Sequence, residues 1–236
     1  MFPVVSVDQM RESDAYTIAY HVPGKELMYR AACGVYLAAR WKGCIAIVTG
    51  SGNNGGDGYA LGCILADKGI ECTVFSLDEP ATADSRYYRQ QAKEKGVLIL
   101  PYFSGVLAGH DMIVDCMLGT GFHGTPRGNY KAAIDEIDRS GAYVISVDIN
   151  SGMNGDTGAA ECAVHSNLTV TVGYIKQGLI APCAGAYIRR LVCADIGITL
   201  LSCEGAVSIP DKSEQMHQKS AFYCPEWLDT QIIRAY

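Results

Sequence analysis

No apolar run in this 236-residue chain approaches the ~18 residues that a membrane-spanning helix needs, so no span is expected. The N-terminal stretch MFPVVSVDQMRESD has acids and no basic n-region, so it does not read as a signal peptide. Basic residues are in the minority: Lys+Arg is 19 against Asp+Glu 25, a formal charge of −6. That excludes general binding to a nucleic-acid backbone, which needs a basic face, and leaves room for a local phosphate site. Close cysteine pairs are also missing. The ten cysteines lie at 33, 44, 63, 72, 116, 162, 183, 193, 203 and 224, with no CxxC among them. A zinc site built on such pairs is not expected, and the density is far below that of a disulfide scaffold. Several sit in apolar runs such as Cys44 to Val48. They read as buried reduced thiols of a cytoplasmic protein. No internal repeat or low-complexity segment stands out.

What is present is a globular composition. Hydrophobic residues make up 49% and charged residues 19%, enough for a sizeable core. The length suits one large α/β domain. Helices are expected over Ser6 to about His21, Lys25–Arg40, Gly58–Lys68, Ala83–Lys95 and Asn129–Arg139, from apolar spacing and from stops such as Gly69 and Gly96. Strands are expected over Cys44–Thr49, Glu71–Leu77, Val97–Leu100, His110–Asp115, Ala142–Val147, Asn167–Val172 and Tyr187–Cys193. This alternation implies a mostly parallel sheet with helices on both faces, with ligands at the carboxyl ends of its strands. After about Thr199 the pattern weakens. Residues 200–236 read as an extension packed on the domain formed by residues 1–199.

Three motifs carry chemistry. Gly50-Ser51-Gly52-Asn53-Asn54-Gly55-Gly56-Asp57-Gly58 follows an expected strand and opens an expected helix. Its glycines allow close backbone approach, and helix N-terminal amides favour an anionic ligand. No Lys-Ser/Thr follows, so it is not a Walker A loop. Asp115 ends an apolar strand and precedes Gly119-Thr120-Gly121-Phe122-His123-Gly124-Thr125. Asp148 also ends an apolar strand and precedes Asn150-Ser151-Gly152. If these strands are adjacent, Asp57, Asp115, Asp148, Asn54 and Ser151 meet at one sheet edge. Such oxygens suit a hard cation, and their low charge favours a monovalent one. A carboxylate in a partly apolar site can also act as general acid or base.

Together with Asp156-Thr157-Gly158, Thr169 to Gly173, Lys176 and Asp195-Ile196-Gly197, these motifs resemble, in order and spacing from about Val5 to Ile198, the YjeF N-terminal domain, the NAD(P)HX epimerase family. The resemblance implies a Rossmann-like three-layer αβα sandwich. It implies interconversion of the R and S epimers of hydrated NADH or NADPH at the ring carbon bearing the hydroxyl, as part of nicotinamide nucleotide repair. It implies a potassium ion held by Asn54, Asp115 and Ser151. Substrate contacts would come from Asn53, Asn54, Gly55, Gly56 and Asp57, from Gly119, Thr120, Gly121, Phe122, His123, Gly124 and Thr125, and from Tyr130. Asp148 would contact the hydrated nicotinamide and serve as the acid/base residue. A dehydratase on a separate chain would be the functional partner, and a homodimer the expected assembly.

The sequence departs from the family pattern in places. Asn150 stands where the family has proline, which predicts a less rigid loop around Ser151. Tyr29 stands in place of a glutamate, and Lys176-Gln177-Gly178 in place of Lys-Pro-Gly. These departures keep open a non-catalytic nucleotide-binding or scaffold module of the same fold, a fold that also serves an RNA-decapping scaffold. A conventional NAD-dependent dehydrogenase is a third reading, from Gly50-x-Gly52-x-x-Gly55 with Asp78 after the second strand.

Overall fold

The computed structural model describes residues 2–201, 207–209 and 231–235. Cys203 and Cys224, and most of the expected C-terminal extension, lie outside these residues. None of the helices described is long and apolar enough to cross a membrane.

The chain opens with β1 (Phe2–Val5), α1 (Val7–Tyr20) and α2 (Gly24–Ala38). Strand–helix alternation follows: β2 (Ile45–Thr49), α3 (Asn53–Asp67), β3 (Thr73–Ser76), α4 (Ala83–Glu94), β4 (Leu98–Pro101), β5 (Met112–Cys116), α5 (Gly128–Arg139) and β6 (Tyr143–Val147). Then come β7 (Leu168–Val172), β8 (Ile175–Lys176), β9 (Leu191–Asp195), β10 (Val207–Ile209) and β11 (Gln231–Arg234). Eight strands form one parallel sheet in the order β11-β9-β7-β6-β5-β2-β3-β4. A smaller sheet has the order β10-β1-β8.

Layering follows from alternation along buried strands. In β2, Ile45 and Ile47 join the core under α2, α3 and α4, whereas Ala46 and Val48 join the core under α5. All five β2 residues are buried, as expected for a strand covered on both faces. The expected αβα sandwich is therefore present. Chain direction reverses between β2 and β5: from β2 the chain builds outward through β3 and β4, then returns to β5 on the other side. Crevices for ligands form at the carboxyl ends of strands at such a reversal. The three motifs follow β2, β5 and β6, which are immediate neighbours there.

Three expectations need correction. Helix α3 starts at Asn53, not Gly58, so Asn53 to Asp57 forms its first turn rather than a loop. Gly52 is the N-cap, and the Gly56 N–H donates to its carbonyl at 3.2 Å. Burial of nearly the whole helix outweighs the intrinsic cost of its glycines. Second, the segment expected as a strand from Tyr187 pairs regularly only from Leu191; before it lies a 3₁₀ turn, Pro182–Ala186, and a single bridge between Ser166 and Ile188. Third, β1 and β8 were not anticipated. Their parallel pairing sets Val5 opposite Lys176, and this brings Lys176 to the crevice.

Candidate active site

A cleft of about 620 Å³ opens at the reversal point, within the size range of small-molecule sites. The starts of α3 and the loops after β5 and β6 form one wall, and α1 forms another. Asp148 lines the cleft. Its φ is 68°, making it the one non-glycine residue among those described with a left-handed backbone. The Ile149 N–H donates to the Val147 carbonyl at 2.9 Å, closing a tight turn around it, and the Asp148 N–H donates to Val170 at 2.8 Å. A strained residue held by its surroundings is a common mark of a functional position.

Both carboxylate oxygens of Asp148 are engaged. Lys176 Nζ donates to Oδ1 at 2.5 Å, and the Thr120 N–H to Oδ2 at 3.3 Å. Lys176 is itself 1% exposed and gives its other protons to Thr171 Oγ1 and the Val172 carbonyl. Asp57 and Asp14 also line the cleft, and neither has a hydrogen-bond or ion-pair partner among the described residues. The Asp57 carboxyl is raised well above the usual carboxylate range, by burial first and then by the charges of Asp148 and Asp14. Asp14 is raised as well, by burial and then by Asp148, with Lys176 opposing. Carboxyls with such different surroundings are the material of acid–base chemistry.

Behind this surface lies a second, buried set of oxygens. Asp115 is fully buried and accepts four hydrogen bonds: Ser151 Oγ and N, Ser146 Oγ, and the Met117 N–H. Burial raises its carboxyl and these bonds oppose the rise. Ser151 Oγ accepts the Leu118 N–H at 2.9 Å, and Asn54 Nδ2 donates to the Leu118 carbonyl at 2.8 Å. Asn54 Oδ1 is buried with no hydrogen-bond partner. An orphaned buried carbonyl of this kind costs about 1–3 kcal/mol. Asn54, Asp115 and Ser151 are thus brought together around the Leu118 backbone.

Of the other expected contacts, Asn53, Gly119, Thr120, Gly121, Phe122 and Tyr130 line the cleft. Tyr130 donates its hydroxyl to Asp78 at 2.8 Å, and burial together with Asp78 pushes its own ionisation up to about 12. Gly55 and Gly56 do not reach the cleft. A Cβ on Gly55 would meet the Gly50 carbonyl at 2.1 Å, and one on Gly56 would meet Met28, so both serve helix packing. His123, Gly124 and Thr125 lie exposed beyond the cleft, where Thr125 Oγ1 donates to Glu161. Of the three glycines behind the dehydrogenase reading, Gly50 and Gly55 sit against backbone carbonyls whereas Gly52 has open space beside it, and Asp78 is engaged by Tyr130.

Sequence reasoning did not single out Asp14, nor a role for Lys176. Asp14 sits among polar neighbours on α1 and carries no motif. Asn150 reverses its expectation. It is fully buried and donates from Nδ2 to the Val164 carbonyl, Ser166 Oγ and the Tyr187 carbonyl, while its Oδ1 accepts from Thr169 Oγ1. The loop that lost a proline is pinned by a side-chain network.

The model of the family described as YjeF-related protein N-terminus matches residues 24–178. A protein of Limosilactobacillus fermentum named NAD(P)H-hydrate epimerase is 35% identical over 81% of this chain and 95% of its own length. The bifunctional NAD(P)H-hydrate repair enzyme Nnr of Coxiella burnetii is 32% identical over 81% of this chain, which spans 41% of that longer protein. The crystal structure of yeast ynu0, YNL200c, has the same fold, with a TM-score of 0.71 and 20% identity over 87% of this chain and 99% of that one.

Proposed function

The chain belongs to the YjeF-related N-terminal family, and from that premise we propose that it epimerises hydrated NADH or NADPH, NAD(P)HX, as an isomerase of nicotinamide nucleotide repair. The observation that carries this reading is the carboxyl cluster at the reversal point: Asp148 held by Lys176, beside an Asp57 with no partner among the described residues.

The reacting carbon bears both a ring nitrogen and a hydroxyl. In the proposed route to inversion the hydroxyl leaves as water and water returns on the other face. A protonated carboxyl gives its proton to the departing oxygen, the C–O bond breaks, and the nitrogen lone pair forms a planar C=N⁺ unit. Water then adds to the opposite face and passes a proton to a carboxylate, so no atoms are gained or lost. Asp57, with its raised pKa, is suited to donate. Asp148 contacts the ring and places a fixed anion beside the cation. The amides opening α3 and the side chain of Arg11, both on the cleft, are suited to the substrate's phosphates.

The buried oxygen set fits a monovalent cation: an orphaned Asn54 Oδ1 lies with one carboxylate and one hydroxyl. Potassium held by Asn54, Asp115 and Ser151 would supply positive charge that fixes the loops after β2, β5 and β6 relative to one another. A dehydratase on a separate chain would consume the S epimer, and a cytoplasmic homodimer is the proposed working form.

The test is equilibration of R- and S-NADHX followed by chromatography, with potassium present. The wild type accelerates it, and Asp148→Ala slows it by about 10²-fold or more. Unchanged activity in that variant removes Asp148 from the mechanism. Nucleotide binding without acceleration by the wild type assigns the scaffold reading instead.

A further inference from the structure

Asp14 lies outside the span matched by the family model, yet the fold fixes it firmly at the cleft. Helix α1 is locked at both ends. Ser6 forms a reciprocal capping box with Gln9, and the Val7 N–H donates to Asp156 Oδ1 at 2.7 Å. Farther along, Ser13 Oγ accepts the Leu201 N–H and Thr17 Oγ1 the Thr199 N–H, each at 3.0 Å. Ser13 and Thr17 are fully buried. Asp14, next to this anchored stripe, is half-buried, lines the cleft and has no partner among the described residues. A rigid backbone carrying a free carboxyl is what a reacting group requires.

The groups facing it are charged. Asp57 comes from α3, Asp148 from the end of β6, Lys176 from β8, Arg11 from one turn earlier on α1, and Asp84 from α4. Lys176 is committed to Asp148. Asp57 and Asp148 both belong to the sheet-edge wall, whereas Asp14 belongs to the α1 wall. An epimerisation has chemistry on two faces of a ring, and a carboxyl on one wall serves one of them.

Resting on the epimerase reading, we propose that Asp14 is a further catalytic residue, moving the proton on the ring face turned towards α1 while Asp57 and Asp148 serve the face turned towards the sheet. On departure, Asp14 gives its proton to the hydroxyl oxygen, which takes the C–O electron pair and leaves as water. In the reverse sense, water adding from the α1 side forms the C–O bond and returns the proton to the Asp14 carboxylate.

Two readouts on Asp14→Asn separate this from a structural role: inversion of the epimers, and exchange of the substrate hydroxyl oxygen with ¹⁸O-labelled water. Wild-type protein inverts and exchanges. In the variant the sheet-side carboxyls still release and return water from one face. Exchange should therefore persist near the wild-type rate for the epimer whose hydroxyl faces the sheet, while exchange of the other epimer and inversion both fall about 10²-fold, with melting temperature unchanged. Asp14→Glu should recover part of the inversion. Wild-type inversion in Asp14→Asn overturns the assignment, and so does an equal loss of exchange in the two epimers. Wild-type protein that accelerates neither readout overturns the epimerase reading itself.

Discussion

Lys176 and Asp148 form an ion pair of 2.5 Å on the lining of the cleft, between a lysine that is 1% exposed and an aspartate at a left-handed φ. The two residues are 28 positions apart and meet because β8 pairs with β1 beside the main sheet. The lysine also offsets charge felt by Asp57 and Asp14. It is thus the counter-charge of three carboxyls, not of one. Removing one partner of a buried pair costs about 3–5 kcal/mol. Lys176→Met should accordingly lower the urea midpoint, and adding Asp148→Asn should recover part of the loss. Equal stability of Lys176→Met and wild type in urea would show that the pair is not holding this region together.

Asp57 sets stability against function. Its carboxyl is raised well above the ordinary range by burial and by its acidic neighbours, whereas in the unfolded chain it returns to about 3.9. Between the two values the native state keeps a proton that the unfolded state has lost. Stability therefore falls as pH rises through that window and levels off above the folded pKa. Asp57→Asn keeps the neutral form at every pH. It should melt higher than wild type at neutral pH, by about 2–4 °C per kcal/mol, and approach wild type as the pH drops to 4. Epimerisation should slow at the same time. A variant that melts lower at neutral pH would contradict the assignment of Asp57 as a destabilising neutral acid.

The strand-end motifs were legible because each polar residue interrupts or ends an apolar run: Asp115 after Met112 to Val114, and Asp148 after Val144 to Val147. Pairing of β2, β5 and β6 then turned three separate strings into one edge. The start of α3 was not legible, because Asn-Asn-Gly-Gly-Asp has the composition of a turn and only tertiary burial makes it helical. Lys176 depended on the β1–β8 register, a long-range pairing with no local signature. Asp14 is one of several polar residues on α1, and only the packing of that helix distinguishes it from Asp8 or Glu12. Asn150 read as a lost proline because sequence reveals the removed constraint and not its four new bonds.

Those bonds yield a prediction. Asn150→Ala removes three donated hydrogen bonds and one accepted, all at a buried position. Leaving the Val164 carbonyl without this donor, and Thr169 Oγ1 with Ser166 Oγ as its remaining partner, should cost about 1–3 kcal/mol. Because Ser151 follows directly and bonds Asp115 through its own N–H, loosening should spread to the buried oxygen set. Differential melting of Asn150→Ala and wild type gives the cost, and hydrogen exchange of the Ser151 amide gives the loosening. Unchanged protection at Ser151 would mean that Asn150 braces only its own side of the loop.

The orphaned Asn54 Oδ1 makes the cation proposal measurable without any substrate. A ligand that binds the native state alone raises stability by RT ln(1 + [L]/Kd), so saturating potassium at about 100 Kd adds about 2.7 kcal/mol. Wild-type protein should melt higher in potassium chloride than in lithium chloride of equal ionic strength, which cancels general screening. Asn54→Ala deletes the unpaired oxygen and also the bond from Nδ2 to the Leu118 carbonyl. It should lose the potassium increment whatever its basal melting temperature. Asn54→Asp restores an oxygen at the same place and should recover cation dependence. Wild-type melting that is identical in the two salts would leave the Asn54 oxygen without a cation, and the Asn54, Asp115 and Ser151 set would then be a structural junction between loops.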